Sequence, residues 1–529
     1  MYNEKVYLKS SVKFEPLIWQ WYAWSYLISP ITCSKLISKH IRLMESYMAA
    51  PDVHYQAAKN PNLLGGSFIG VEQKLSYKVE ALLNQHKEQC KELLKLADAF
   101  KSFDLKLQTI ANGYSLEKLY QQLPEELQGC VELIYDYNNH PSIRIIEKLF
   151  YKKYYHLIRN GQSITLSDTK EDYRPFSFST PRFNTHGELH LNIPFDSPLI
   201  DALSKMKYEP VIFNDIIEKL NLSDKDIDTF QSLLTTEAPK VSSSYHEDKL
   251  RIRYFGHACV LLETNEVSIL IDPLINYNYE SSSECFSLTD LPNNVDYVLI
   301  THGHQDHLVL ETLLQIRHKI KTIVVPRNQI GSFIDPSLKM LFNQVGFGSV
   351  IDMDEFDTLK ISGGEILSVP FLGEHGDLNI LAKMAYCITL QNKKLLFCAD
   401  SNNLDNNLYE HLHDYIGEVD YLFLGMECEG APMNWLFGPL LHKLPNKQDN
   451  ESRRFSGSNC EKAWKITETL RCKNVFIYAM AMEPWLTHIM ALDYSEDSLQ
   501  IMESNKFIKQ CKAHQINVSR PFLKMEVIV

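Results

Sequence analysis

The sequence predicts an α/β protein of two domains: a mixed, mostly helical α+β domain over residues 1–245, then an αββα sandwich over residues 246–529. Three observations carry this. At 529 residues, with 45% apolar and 22% charged positions, the chain is long enough for more than one core and too apolar to be disordered. Its texture changes near residue 240, from amphipathic helical periodicity to short β-branched runs divided by turn residues. The two textures meet in the polar, Ser-rich stretch 239–249 (PKVSSSYHEDK), which reads as an inter-domain linker.

In chain order, the aromatic cluster Trp19, Trp21, Tyr22 and Trp24 reads as core or interface. Leu75, Val79, Leu82, Leu83, Leu93, Leu94, Ala97 and Phe100 recur at helical spacing among Lys, Glu and Gln, the pattern of an amphipathic helix. Ser115 to Leu127 reads as another helix, with Ser115 as N-cap and Lys118 where a capping box wants an acid. Residues 161–200 alternate like short strands, and 212–235 return to helix. Past the linker, strands are expected at 250–253, 259–263, 268–271, 297–300, 322–325, 366–370, 385–390, 394–398 and 421–424. The polar stretch 441–460 has little apolar period and reads as a mobile loop.

The net charge of −13 argues against a general nucleic-acid binder, which needs a basic footprint. Eleven scattered cysteines with no CxxC pair read as reduced thiols of a cytoplasmic protein. No apolar run approaches the ~18 residues of a membrane span, so no membrane association is expected.

The strongest chemical signal is Thr301-His302-Gly303-His304-Gln305-Asp306-His307, directly after the apolar run Val298-Leu299-Ile300. Imidazoles two apart in an extended turn suit one metal ion, while Asp306 and His307 turn toward a second. With Phe255-Gly256-His257-Ala258 and Leu270-Ile271-Asp272-Pro273, this motif resembles the metallo-β-lactamase superfamily over residues 250–500. The resemblance implies a four-layer sandwich holding two metals at its sheet edges, with Asp272 supporting the ligands. It also implies three further ligands. In Val369-Pro370-Phe371-Leu372-Gly373-Glu374-His375, aligning the glycine puts Glu374 at the position usually held by histidine, with His375 one residue away as the fallback. Asp400, after Leu395-Leu396-Phe397-Cys398-Ala399, is the expected bridging carboxylate, and His488 the expected last ligand of the second metal.

A donor set with Asp306, Glu374 and Asp400 beside His302, His304, His307 and His488 is richer in hard oxygen than a dizinc hydrolase, and favours iron and dioxygen. Phe14-Glu15-Pro16-Leu17, Gln20-Trp21-Tyr22-Ala23-Trp24, the glutamate at 374 and Met426-Glu427-Cys428-Glu429-Gly430-Ala431-Pro432 narrow the likeness. With them the chain resembles the diiron β-hydroxylase family of nonribosomal peptide biosynthesis, the chloramphenicol-pathway type. That resemblance implies an oxygen-dependent monooxygenase with two iron ions, dioxygen as co-substrate, an external electron donor and an aminoacyl carrier protein as partner. Asp306, Glu374, Asp400 and Glu427 are then the expected catalytic acids. A homodimer is expected, with the N-terminal domain mediating self-association or shielding the site. The alternative is a dizinc hydrolase of the same fold, acting on a thioester, lactone or phosphodiester. Residues 441–460, with Lys443, Lys447, Arg453 and Arg454, are expected to form a lid or a basic docking loop for the carrier.

Overall fold

The computed structural model describes residues 4–529 apart from 172, 173, 175, 243, 244, 280–283 and 329; residues 243 and 244 of the expected linker thus lie outside the described residues. Two seven-stranded sheets face each other in the C-terminal part. The first runs, from edge to edge, Val350–Met353, Ile320–Pro326, Val295–Leu299, Ser268–Ile271, Cys259–Glu263, Arg251–Gly256 and Met525–Ile528. The second runs Thr358–Ile361, Gly364–Val369, Ala385–Leu390, Lys393–Phe397, Tyr421–Gly425, Asn474–Tyr478 and Asn517–Ser519. Ile252, Val260, Leu262, Ile269 and Ile271 of one meet Tyr386, Phe397, Phe423 and Tyr478 of the other in the central core. Each sheet carries a parallel run whose crossovers place helices outside: Leu310–Ile316 and Leu338–Gln344 on one, Asn406–Ile416, Cys460–Thr469 and Leu499–Ala513 on the other. This is the αββα layering that the sequence predicts.

The N-terminal part combines long helices with small sheets. Helix Pro30–Ala49 starts with Pro30 at its first position, where the missing N–H costs nothing; its first two turns are buried all round, and further on it buries Ile41, Met44 and Tyr47. The predicted amphipathic stretch is two helices, Ser76–Gln89 and Lys91–Ile110. Two expectations need correction. Ser115 to Leu127 holds only a 3-10 stretch, Glu117–Gln122: the Ser115 hydroxyl accepts from Glu117 N–H two residues on, a turn contact, and Pro124 ends any helix. Residues 441–460 are not a free loop. Helix Lys447–Ser452, capped by the Asn446 side chain, lies within them, and Phe455 N–H and Gly457 N–H bond to Ala431 O and Glu427 O (2.9 and 2.8 Å).

The two parts share one hydrophobic core, and polar bridges cross it. Glu311, 4% exposed, accepts from the Tyr22 hydroxyl (2.7 Å), the Tyr277 hydroxyl (2.6 Å) and both-oxygen contacts of Arg174 (3.0 and 2.9 Å). Glu147 likewise accepts from the Ser29 hydroxyl (3.1 Å) and Ser337 N–H (3.0 Å). Burial dominates there and pushes its carboxyl from 4.5 to about 7. A carboxyl raised on folding favours the fold most below its unfolded value and loses that advantage as pH rises to the folded value. At ~1.4 kcal/mol per pH unit, the ionised form is penalised by roughly 3 kcal/mol above neutral pH. Glu147→Gln is therefore expected to stabilise the protein at pH 8 and to do nothing below pH ~4.5. Chemical denaturation at both pH values reads this out, and an equal effect at both refutes it.

Candidate metal centre

The predicted motif sits where its preceding strand ends, at the edge between the sheets. His302 and His307 are fully buried, with ring centroids 4.2 Å apart, and His304 lies 4.6 Å from His302. Their orientations are imposed by hydrogen bonds on the far side of each ring. Asp272 Oδ1 accepts from Thr301 N–H (2.8 Å), and its Oδ2 accepts from the Thr301 hydroxyl (2.6 Å) and His307 Nδ1 (2.8 Å). The Thr301 proton being spent on Asp272, its oxygen accepts from His302 Nδ1 (3.0 Å). Both rings thus carry hydrogen on Nδ1 and turn a bare Nε2 inward.

Four carboxylates complete the cluster. Asp400 Oδ2 lies 3.0 Å from His307 Nε2 and 3.7 Å from His302 Nε2. Asp306 Oδ2 lies 3.5 Å from His307 Nε2. Glu374 Oε1 lies 3.0 Å from His304 Nδ1, and its Oε2 is 2.9 Å from His375 Nδ1. Glu427 faces the same cavity. Ligand atoms of His302, His304, Glu374 and His375 all lie within 4.8 Å of one another; so do those of His302, His307 and Asp400, and those of His257, Asp306 and His307. His375 Nδ1 is also turned to Gly373 O (3.3 Å).

His257 joins the cluster although the sequence reading names it only as part of a flanking segment. Its Nδ1 accepts from Ala481 N–H (3.0 Å), so the neutral ring carries its proton on Nε2, which donates to Asp306 Oδ2 (3.0 Å). His257 therefore orients the aspartate. Its own backbone is fixed by Glu483, which accepts from His257 N–H (2.8 Å) and the Tyr254 hydroxyl. No local motif announces this role, because the ring's partners are 49 and 224 residues away.

His488 is the correction. It lies on the short helix Thr487–Met490, its Nδ1 on Trp485 O (2.8 Å) and its ring edge-on to Tyr22. It lines a separate small cavity with Arg174 and Glu311, and none of the metal-ligating groups among the described residues includes it. The N-terminal part occupies the space on that side of the sandwich and takes His488 into the domain junction. The two arginines expected to dock the carrier have local partners: Arg453 Nε donates to Gly376 O (2.8 Å), Arg454 Nε to Gly430 O (2.8 Å), and Arg454 Nη1 to Glu451 (2.7 Å). They tie the cavity wall together.

The donors fit metal ions. His302 Nε2, His304 Nε2, His307 Nε2, Glu374 Oε2 and Asp400 Oδ1 are buried without a hydrogen-bond partner, an arrangement that is costly unless a cation fills it. Burial and the neighbouring imidazoles hold His302 well below its ordinary range. Against burial, Asp400, Asp306 and Asp272 hold His307 well above it, so the carboxylates draw in the positive charge that a metal supplies. For Glu427, burial and then the charges of Asp400 and Asp306 push the carboxyl well up. Backbone strain concentrates here too: His257, Asp272, Glu374 and Ala399 have φ of 49°, 40°, 66° and 46°. Gly425 lets the second sheet approach, since a Cβ there would sit 2.4 Å from Ala399 O. Asp272→Asn, which removes the charge and one acceptor behind His307 and Thr301, is expected to weaken metal affinity about 10–100-fold with the fold intact. Metal titration followed by circular dichroism tests it; unchanged affinity counts against the role.

The cluster opens into a cavity of about 500 Å³ whose walls include Leu64 and Gly65 from the N-terminal part, Trp435, Phe455 and Met490.

A model of the diiron non-haem β-hydroxylase N-terminal domain matches residues 7–239, and a β-lactamase superfamily domain matches residues 251–424. The 4-amino-L-phenylalanyl-[CmlP-peptidyl-carrier-protein] 3-hydroxylase of Streptomyces venezuelae is 34% identical over 512 residues, 95% of this chain and 96% of its own. The crystal structure of CmlA, a diiron β-hydroxylase from the same organism, superposes with a TM-score of 0.93 at 32% identity, covering 100% of both chains. A UPF0173 metal-dependent hydrolase of Lysinibacillus sphaericus is 33% identical over 85 residues, 16% of this chain and 34% of its own.

Proposed function

The chain belongs to the diiron non-haem β-hydroxylase family, and from that premise we propose that it hydroxylates the β-carbon of an aminoacyl group held as a thioester on a peptidyl carrier protein. The observation that carries this is likeness to an aminoacyl-carrier hydroxylase over nearly the whole chain, N-terminal part included. The dizinc hydrolase alternative gives way, since the metal-dependent hydrolase above matches only a small part of the chain.

In this reading His302, His304 and Glu374 would hold one iron and Asp306 and His307 the other, with Asp400, beside both His302 and His307, available to either. Bound there and reduced, the irons supply the dioxygen activation needed to attack an unactivated C–H bond. Asp272 and Thr301 aim the imidazoles, and His257 aims Asp306. Glu427 stands at the cavity wall, its carboxyl pushed up by burial and by the charges of Asp400 and Asp306. Trp435, Phe455 and Met490 exclude water from the reacting carbon. One oxygen atom enters the C–H bond and the other leaves as water, so each turnover takes two electrons and two protons from an external reductant, delivered by an electron-transfer partner. Residues 1–245 act as a domain that shields the site: Ser25 donates to Gly303 O (2.7 Å) beside the motif, and Leu64 and Gly65 line the cavity. A homodimer formed through that domain and a cytoplasmic location complete the proposal.

The test is aerobic incubation of the iron-loaded protein with an aminoacyl-charged carrier protein and a reductant. The expected product is the intact thioester heavier by one oxygen atom, with the label coming from heavy-isotope dioxygen. Equal hydroxylation of the free amino acid, or oxygen-independent release of the aminoacyl group, overturns the proposal.

A further inference from the structure

The cavity at the metal centre shares a wall with a second cavity of about 320 Å³; Gly65, Gln305, Trp435 and Leu436 belong to both. At that wall the Trp435 indole N–H donates to Gly65 O (2.6 Å). Gly65 has φ +78°, and a Cβ there would meet the indole nitrogen at 2.8 Å, so ring and backbone touch along one side of the boundary between the two cavities.

The two cavities differ in charge. The first is acidic, with Asp306, Glu374, Asp400, Glu427 and Glu429, and its one arginine, Arg454, is engaged by Glu451. The second is walled by rings, among them Trp24, Phe176 and Phe178, and its lining includes two cations, the half-buried Lys39 and the exposed Arg42. Both project from helix Pro30–Ala49 at i and i+3, on one face. Among the described residues neither is paired with a carboxylate. Burial pushes the Lys39 ammonium down to about 8, and no carboxylate charge offsets it. A desolvated, unpaired cation in a cavity that adjoins an active site is a place for an anion.

We propose that the second cavity receives the phosphopantetheine arm of the carrier protein, with Lys39 and Arg42 holding its phosphate and the thioester end reaching the metal centre past Trp435. This rests on the carrier-tethered substrate proposed above. The arm is a slender, uncharged amide chain carrying one anionic group, which matches a ring-walled passage with a pair of cations. Contacts to the non-reacting phosphate would position the reacting carbon.

The test uses the full-length, iron-loaded protein and measures binding directly, so that it does not depend on turnover. Free phosphopantetheine and pantetheine differ only in the phosphate. Wild type is expected to bind the phosphorylated form roughly tenfold or more tightly. In Lys39→Gln plus Arg42→Gln that preference should vanish and KM for the charged carrier should rise by a similar factor, with iron content and near-ultraviolet dichroism unchanged. Lys39→Arg with Arg42 intact should retain the preference. A double variant that keeps the preference and KM of wild type overturns the assignment. So does a wild type with no phosphate preference whose KM for the carrier still depends on the two cations, since they then meet the carrier's own acidic surface. Phosphate-dependent binding that Lys39 and Arg42 control, without any hydroxylation of charged carrier, supports the arm site and refutes the proposed function.

Discussion

Residues 246–529 expressed alone are expected to aggregate or to be inactive. Helix Leu310–Ile316, buried along its whole length, packs on strand Val12–Ile18 and helix Pro198–Lys205. Without the N-terminal part, Leu310, Leu313 and Leu314 would face water, at ~1.5–3 kcal/mol for each large side chain uncovered. Glu311 would lose Arg174 and the Tyr22 hydroxyl. Against burial, which raises it, Arg174 and the two tyrosine hydroxyls hold Glu311 below its ordinary value in the intact protein. The metal cavity would also lose Leu64 and Gly65 from its wall. Size-exclusion chromatography and turnover decide the matter: a monodisperse fragment working at the full-length rate would show that residues 1–245 are dispensable.

Glu374→Ala is expected to lose the metal held by His302 and His304, and with it all hydroxylation, while His375→Ala retains metal. Both residues approach the cluster, so the distinction is chemical. Glu374 carries a buried oxygen, Oε2, with no hydrogen-bond partner, and its Oε1 reaches His304. Against the push of burial, the His304 and His375 imidazoles hold its carboxyl down to about 2, so it is an anion at any working pH. His375 presents Nδ1 to Glu374 and to the Gly373 carbonyl, the bearing of a residue that orients the carboxylate. Asp400→Ala, which removes the group beside both His302 and His307, should empty the site further. Iron analysis of the three purified variants checks the order. Metal retained in Glu374→Ala and lost in His375→Ala would exchange the two assignments and weaken the case for iron.

What the sequence determined about this protein is whatever lies close together along the chain. His302, His304, Asp306 and His307 occupy one turn after one strand, so their convergence needs only local geometry. Asp400 and Glu374 follow apolar strands whose ends, in a facing pair of sheets, must meet at the same edge. The strand pattern of the sandwich was legible for the same reason, since alternation and turn residues are local properties. The helical reading of 115–127 failed on a single proline, and the loop reading of 441–460 failed because its anchors are backbone carbonyls, which carry no sequence code. His488 and His257 make the contrast sharpest. Each is a single histidine near a strand end, and tertiary packing alone sends one into the domain junction beside Tyr22 and the other against Asp306. Lys39 and Arg42 sit in a helix where a cation pair ordinarily means a solvated face. Only the wall built by Trp24, Phe176 and Trp435, drawn from distant parts of the chain, makes the half-buried Lys39 and the exposed Arg42 beside it part of a cavity lining, because that enclosure is a property of packed surroundings.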